Sequence, residues 1–252
     1  MSAYEALAGA YDELTVDVEH RRRADYLARL FTKSRIPVHT VLDLACGTGT
    51  MACLLTGKGY RVLATDGSVE MLTMAAQKAA ALESPPFFLH QSMQKLRLTE
   101  QVDAVISTLD SLNYLTRAAD VKETFRRVYR YLKPGGQFLF DVNTPYKLRR
   151  MDGQVWLDET EEIYCVWRTD FSARTKVCTY WVDLFEQGRN GTWHRSCEEH
   201  RERAWEQEEL TEWLHEAGFA RVRVTGDLTS RPPKAEEERW NFRCEKAMDA
   251  KE

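Results

Sequence analysis

Apolar and polar positions along this chain fall into two regimes. Over residues 40–142 short apolar runs alternate with stretches of helical spacing. Residues 40–45 predict a buried strand and 50–56 the helix after it, with Gly57 and Gly59 where helix caps belong. "RVLATD" at 61–66 is a second apolar strand, ending in an aspartate. Ser68 can N-cap the next helix, in which Met71, Leu72 and Ala75 recur at helical spacing. Ser84-Pro85-Pro86 breaks that helix; "FFLH" at 87–90 predicts a third strand and "DAVIST" at 103–108 a fourth. Val121, Phe125, Val128 and Leu132 share a helical face stopped by Lys133-Pro134-Gly135-Gly136, before a fifth strand, "QFLFDV", at 137–142. Such a succession requires parallel strands with helices on both faces.

The period then changes. Residues 162–171, 176–186 and 192–203 are long strand-like runs rich in Tyr, Trp, Val and Cys, with a hairpin signal, "GRNG", at 188–191. No helix intervenes, so these runs predict an antiparallel sheet inserted into the α/β unit. Beyond it "EQEELTEWLHEAGF" is a helix with Leu210, Trp213, Leu214 and Ala217 turned inward, Gly218 just past its end and Phe219 packing back on Leu214. "RVRVT" at 221–225 and "RWNFRCEKA" at 239–247 read as closing strands. The predicted fold is α/β: a doubly wound, mostly parallel, seven-stranded Rossmann-like sheet from residues 1–143 and 204–252, with an inserted antiparallel β-sheet lid at 144–203. The insert is apolar on both faces, Cys165, Trp167 and Phe171 on one and Tyr164 and Val166 on the other. One face is expected over the cleft, and a homodimer is the simplest cover for the other.

Composition narrows the function classes. At 43% hydrophobic residues, 252 residues bury a real core. No apolar run approaches the ~20 residues of a membrane span, and the first residues lack the layout of a signal peptide. Six cysteines without a CxxC pair read as reduced thiols, so a cytoplasmic location is expected. A net charge of −4 from 35 basic and 39 acidic residues lacks the basic stripe of a nucleic-acid binder. The one basic cluster, Arg21-Arg22-Arg23, reads as a solvated helix face beside Glu19 and Asp25.

Chemistry concentrates in "VLDLACGTGTMA" at 41–52, where a strand carries an aspartate just ahead of a glycine turn. Residues 47–52 formally match the dinucleotide pattern GxGxx[G/A], and Asp66 lies at the distance that takes ribose hydroxyls. Asp43 discriminates: its carboxylate would repel a pyrophosphate at the helix N-terminus. It would attract a ligand bearing an ammonium and a sulfonium, as S-adenosylmethionine (SAM) does.

"VLDLACGTGT" followed by "ATDGSVEML" resembles motif I and the acidic end of strand 2 of class I SAM-dependent methyltransferases. "YDEL", "LDSLNYL" and "LKPGGQFLFDVN" resemble that family too, so the likeness spans residues 1–143, and "EELTEWLHEAGF" resembles its last helix. The insert looks like the substrate-covering sheet of small-molecule members, including glycine and amino-sugar N-methyltransferases. The resemblance implies that Ala45, where Gly is commoner, and Gly47 line the methionine moiety, with Gly49 in the same turn, and that Asp43 draws in its amino group. It puts Asp66 on both ribose hydroxyls, Gly67 and Met71 against adenine, and Tyr11 closing over the cofactor. Ser92 stands where many members have an aspartate that accepts from the adenine amino group, and the Met93 backbone can bond the ring. Leu109, Asp110, Asn113 and Tyr114 would lie beneath the methyl acceptor, Asp110 holding a cationic amine.

Other candidates have blander readings. Asp110, Asn113 and Tyr114 can equally begin a helix, and Cys46 reads as a filler of the turn. His194, Glu198 and His200 share a strand face, which solvated polarity explains as well as a metal does; no metal is expected. By pKa His194 is the insert residue suited to removing a proton, ranked below Asp110. The leading expectation is SAM-dependent methyl transfer to a nitrogen or oxygen of a small molecule. A non-catalytic SAM- or nucleotide-binding regulator and an NAD-dependent oxidoreductase are the rivals.

Overall fold

Five residues, Thr40–Leu44, form β1 at the heart of the large sheet and are buried throughout. The structure is a computed structural model and describes residues 7–14, 18–188 and 190–249, so Arg189 of the hairpin signal lies outside the described residues. β1 pairs in parallel with β2 (Arg61–Asp66) and β4 (Val102–Ser107); β3 (Phe87–His90) extends the sheet beyond β2, and β5 (Leu132–Asn143) beyond β4. β11 (Arg239–Glu245) runs antiparallel between β5 and β10 (Arg221–Gly226), which gives the order β10-β11-β5-β4-β1-β2-β3. Predicted and observed bounds coincide for β2 and β3. The fifth strand starts earlier than expected, at Leu132, so Lys133-Pro134-Gly135-Gly136 belongs to it. A register shift against β4 accommodates this, and a Cβ at Gly136 would meet the Asp103 carbonyl at 2.8 Å.

Side chains alternate along β1, and each set has its own helical layer. Val41 packs with Leu27 and Phe31 of α2 (His20–Phe31) and Met51 and Leu55 of α3 (Thr50–Thr56). Leu42 and Leu44 pack with Phe125 and Val128 of α5 (Ala118–Tyr131) and Leu210 and Leu214 of α7 (Gln207–Glu216). Ser68 caps α4 (Val69–Ala79) by accepting from the Met71 amide at 3.1 Å.

The second sheet has four strands, ordered β6 (Val155–Glu159), β7 (Ile163–Ser172), β8 (Val177–Gln187), β9 (Trp193–Arg203), all antiparallel neighbours. The sequence reading has three; β6 escapes it because this short edge strand leaves Val155 and Leu157 exposed. Two short segments cover the inner face. Leu7 and Ala10, around α1 (Tyr11–Leu14), pack on Ile163, Cys165, Val182 and Leu184. Leu148 of α6 (Pro145–Arg150) packs on Cys178 and Tyr180. The outer face keeps exposed Val155, Leu157 and Trp181, but it is crossed by Asp183, which is ion-paired to Arg168 and Arg195.

Asn113 ties the two sheets together. Its Nδ2 donates to the carbonyls of Asn143, at the end of β5, and Arg203, at the end of β9, both at 3.0 Å. Its Oδ1 accepts the Asn143 amide at 3.0 Å, so a fully buried side chain spends both donor hydrogens and its acceptor on structure. This corrects the expectation that Asn113 faces the acceptor. Asn113→Ala leaves these backbone groups unmatched and should cost at least about 2 kcal/mol, lowering Tm by about 4–8 °C. A melting curve superimposable on wild type would remove the clamp from this account.

Candidate active site

The carboxyl ends of β1, β2 and β4 open into a cleft of about 530 Å³, within the range for small-ligand sites. The turn after β1 forms one wall: Ala45 at φ 62° and Gly47 at φ 53° turn the chain so that its backbone lines the cleft. Asp66 ends β2 at the opposite lip. Its Oδ2 accepts the Gly47 amide at 2.8 Å and its Oδ1 the Ser68 amide at 2.9 Å, so one carboxylate joins the two wall segments. Burial pushes the Asp66 carboxyl above the usual range in spite of those amides. Gly67, Met71, Ser92, Met93, Leu109 and Tyr114 also line the cleft.

Tyr11 closes the same space from α1, placed there by its neighbour Asp12. That carboxylate accepts from Thr48 Oγ1 at 2.7 Å and pairs with Lys78 of α4 at 2.6 Å. The N-terminal segment therefore lies between the cleft and the small sheet. No described residue of 144–203 lines the cleft, which corrects the expectation that the insert lies directly on it.

Two expected cofactor residues are placed differently. Asp43 is 1% exposed and does not line the cleft, because strand alternation turns it with Val41 toward α3. It lies behind the turn, where burial, with the Asp66 charge added, pushes the group up to about 7 although the Ala52 amide of α3 favours its charged form. Gly49 is also outside the cleft. A Cβ there would meet Ala75 Cβ at 2.8 Å, so this glycine lets α3 and α4 approach. Cys46 lines the cleft as a thiol pushed up by burial and then by Asp43, which suits a filler better than a nucleophile.

Next to the cleft lies a buried polar cluster that sequence reasoning largely missed. Leu109 and Asp110 adopt left-handed backbone, φ 59° and 55°, and donate their amides to Asp141 at 3.0 and 2.9 Å. Arg239 of β11 pairs with Asp141 and donates to Asp110 Oδ1 at 2.7 Å. Burial alone would raise Asp141, but Arg239, Arg23 and the two amides hold it below the usual carboxylate range. Asp110 is thus oriented by a cation and is not an isolated acid.

From the small sheet, Glu198, His200 and Glu202 share the inner face of β9 and are buried, at 7%, 2% and 4% exposure. The solvated reading is corrected for Glu198 and His200, and Glu202 joins them unforeseen. His200 Nε2 contacts Glu198 Oε2 at 3.0 Å, and its ring meets Tyr114 edge-on, with centroids 6.0 Å apart. Glu202 accepts from Asn143 Nδ2 at 2.8 Å; burial, then the Asp110 charge, pushes its carboxyl up to about 8. Burial and the Glu202 charge also push the Tyr180 phenol far up, so it remains a donor. His194 shares the parity of His200 but is exposed at the far end of β9, nine residues or about 30 Å from Arg203. The structure does not bring it to the site. The only advance signal for the cluster was the alternation Glu198-x-His200-x-Glu202; Arg239 gave none.

A ligand with a ribose and a cationic amino-acid end fits this cleft. Asp66 is a carboxylate at its lip, the turn exposes backbone at Ala45 and Gly47, and Asp43 is a buried acid behind them that faces no cation among the described residues. The Methyltransferase domain family model matches residues 41–136, the segment that builds these walls. YqeM of Bacillus subtilis (strain 168), a protein named as a methyltransferase, is 36% identical over 97% of this chain and 97% of its own. A SAM-dependent methyltransferase of Clostridium acetobutylicum ATCC 824 superposes with a TM-score of 0.86, at 26% identity over 98% of this chain and all of that one. SAM-bound CalS10 of Micromonospora echinaspora, an amino pentose methyltransferase, shares the fold, with a TM-score of 0.75 at 17% identity over 98% and 99% of the two chains. The chain belongs to the class I SAM-dependent methyltransferases, and SAM is the cofactor of that family.

Two outcomes follow. Asp66→Ala removes a charge-assisted partner for ribose and should weaken SAM at least about tenfold by calorimetry, with NAD binding more weakly than SAM to the wild type; NAD binding more tightly would sink the cofactor assignment. Asp43 has a folded pKa raised from 3.8 to about 7, so it withdraws stability as pH climbs between those values. Without cofactor, the melting temperature of Asp43→Asn should gain on wild type over that window, with little difference at its acid end. A constant gap across the window would mean that Asp43 does not titrate there.

Proposed function

We propose that this chain methylates a nitrogen of a small molecule that enters as a cationic amine. One observation carries the reading: two carboxyls, Asp110 held by Arg239 at 2.7 Å and the buried Glu202 held by Asn143 at 2.8 Å, stand in one polar cluster beside the end of the cleft lined by Leu109 and Tyr114. A cationic amine in that space would relieve the repulsion between the two carboxyls. An alcohol would leave it in place, and this favours nitrogen over oxygen. That CalS10 acts on an amino pentose supports the same choice, by analogy of fold alone.

In this reading each residue takes a role that the geometry supports. Bound SAM supplies an already activated methyl group on its sulfonium. Tyr11 lines the cleft from α1, and burial, then the Asp110 charge, push its phenol far up, so it stays a donor. Asp110, aimed by Arg239, orients the N–H of the acceptor. An ammonium must lose its proton before the nitrogen can attack, and Glu202, shifted to about 8, is matched to receive it near neutrality. Alignment of two reactants can supply ~7–11 kcal/mol, so the proton acceptor is the smaller contribution. A homodimer through the outer face of the small sheet stays part of the proposal, supported by exposed Val155, Leu157 and Trp181; light scattering giving a monomer at every concentration removes it.

The experiment is incubation with methyl-labelled SAM and a pool of small amines, followed by mass spectrometry of the labelled product. A methyl on nitrogen is expected; a methyl on oxygen, or no transfer to any acceptor, contradicts the reading. Asp110→Ala should lower turnover at least about tenfold with SAM affinity little changed. Glu202→Gln should lower kcat within the ~10²–10⁴-fold range of a lost base. The wild-type rate should rise with pH toward about 8, where Glu202 ionises, and this limb should be absent in the variant.

A further inference from the structure

A second cavity, of about 510 Å³, lies between α2 and the end of the large sheet built by β5, β11 and β10. Alternation along these strands sends Arg243 of β11 to this side, and Arg223 of β10 stands directly opposite it in the antiparallel pair. Like charges facing each other across a strand pair are destabilising unless an anion lies between them. Their carbonyl partners, Ser230 for Arg223 and Lys33 for Arg243, accept hydrogen bonds without neutralising them, and Glu245 serves Arg243 alone of the two.

The other walls add charge of the same sign. α2 contributes Arg23 and Arg29, the turn after it Lys33, and the β10–β11 loop Arg231. Among the described residues the one lining carboxylate, Asp141, is shared by Arg239, the amides of Leu109 and Asp110 and, at 3.8 Å, Arg23, so it matches none of the other five cations. Arg23 is paired with Asp227, yet it is 8% exposed and its Nε finds no hydrogen-bond partner; nor does Nε of Arg243. Arg29, Lys33, Arg223 and Arg231 make no ion pair among the described residues. In a chain of net charge −4, six cations around one concave space focus a positive field there. Guanidinium forks match phosphate and carboxylate oxygens two at a time.

We propose that this cavity is a binding site for a small polyanion bearing phosphate or several carboxylates. It is separate from the methyl-transfer cleft, with which it shares only Thr108. Its volume suits a metabolite, and its cations surround a hollow where a nucleic-acid surface would present a stripe.

Titration calorimetry of the full chain, without SAM, tests it with pyrophosphate in one arm and citrate in the other. Either ion should bind one to one with Kd below ~1 mM. Pyrophosphate alone would identify a phosphate ligand, and citrate alone a polycarboxylate. Arg223→Glu with Arg231→Glu should weaken that binding at least about tenfold while leaving SAM affinity unchanged, which also shows that the variant is folded. No heat from either ion, or equal binding by the reversed variant, overturns the proposal. So does binding of RNA or anionic vesicles through these arginines without either small ion. Because no methyl acceptor is involved, failure of the amine reading would leave this result standing.

Discussion

One buried carboxylate sets the geometry on which the active site depends. Asp141 receives the amides of two consecutive residues, Leu109 and Asp110, that are both held in left-handed backbone. Left-handed backbone costs roughly 1–2 kcal/mol at each non-glycine residue, and two hydrogen bonds to a charged acceptor are of the size needed to offset that. Arg239 keeps Asp141 ionised and at the same time aims Asp110, so one cation fixes the turn and its functional side chain. Downstream of the turn, Tyr114 reaches the cleft and Asn113 locks the small sheet to the large one. Removing either member of the Arg239–Asp141 pair would leave the other only partly compensated, Arg239 by Asp110 or Asp141 by Arg23 and two amides, so the loss should stay below the about 3–5 kcal/mol of a buried charge left alone.

The N-terminal segment is the second constraint. It fills the space between the cofactor cleft and the inner face of the small sheet, with Leu7 and Ala10 in the sheet's apolar cluster and Tyr11 packed against that cluster while lining the cleft. Asp12 anchors it through Thr48 and Lys78, residues of the cofactor turn and of α4. The small sheet therefore meets the cofactor cleft through this segment, and its own buried side chains His200 and Glu202 meet Tyr114 and Asn143 beside it.

The large sheet was legible because its signals are local. Apolar runs bounded by turn residues located β2, β3 and α3 to the residue, and Asp66 followed from its distance to the glycine turn. Three things were not legible, each for a physical reason. β6 is a short, half-exposed edge strand without a strong period. Alternating Glu198, His200 and Glu202 have the signature of a solvated face, and only docking against the 111–116 segment reverses it. Arg239 lies 98 residues from Asp141 and 129 from Asp110, in a stretch whose pattern reports a strand and nothing more. Gly49 and Asn113 show the opposite error, since a functional motif placed them at the ligand where the structure uses them for packing and docking.

Methyl transfer in this site depends on the direction in which the cofactor's sulfur faces. A crystal structure with S-adenosylhomocysteine tests this most directly. The account predicts ribose hydroxyls on Asp66 and a sulfur turned toward Tyr114 and the Asp110–Glu202 pair, with Tyr11 closing over it. A ribose away from Asp66, or a sulfur turned toward Ser92, would contradict it.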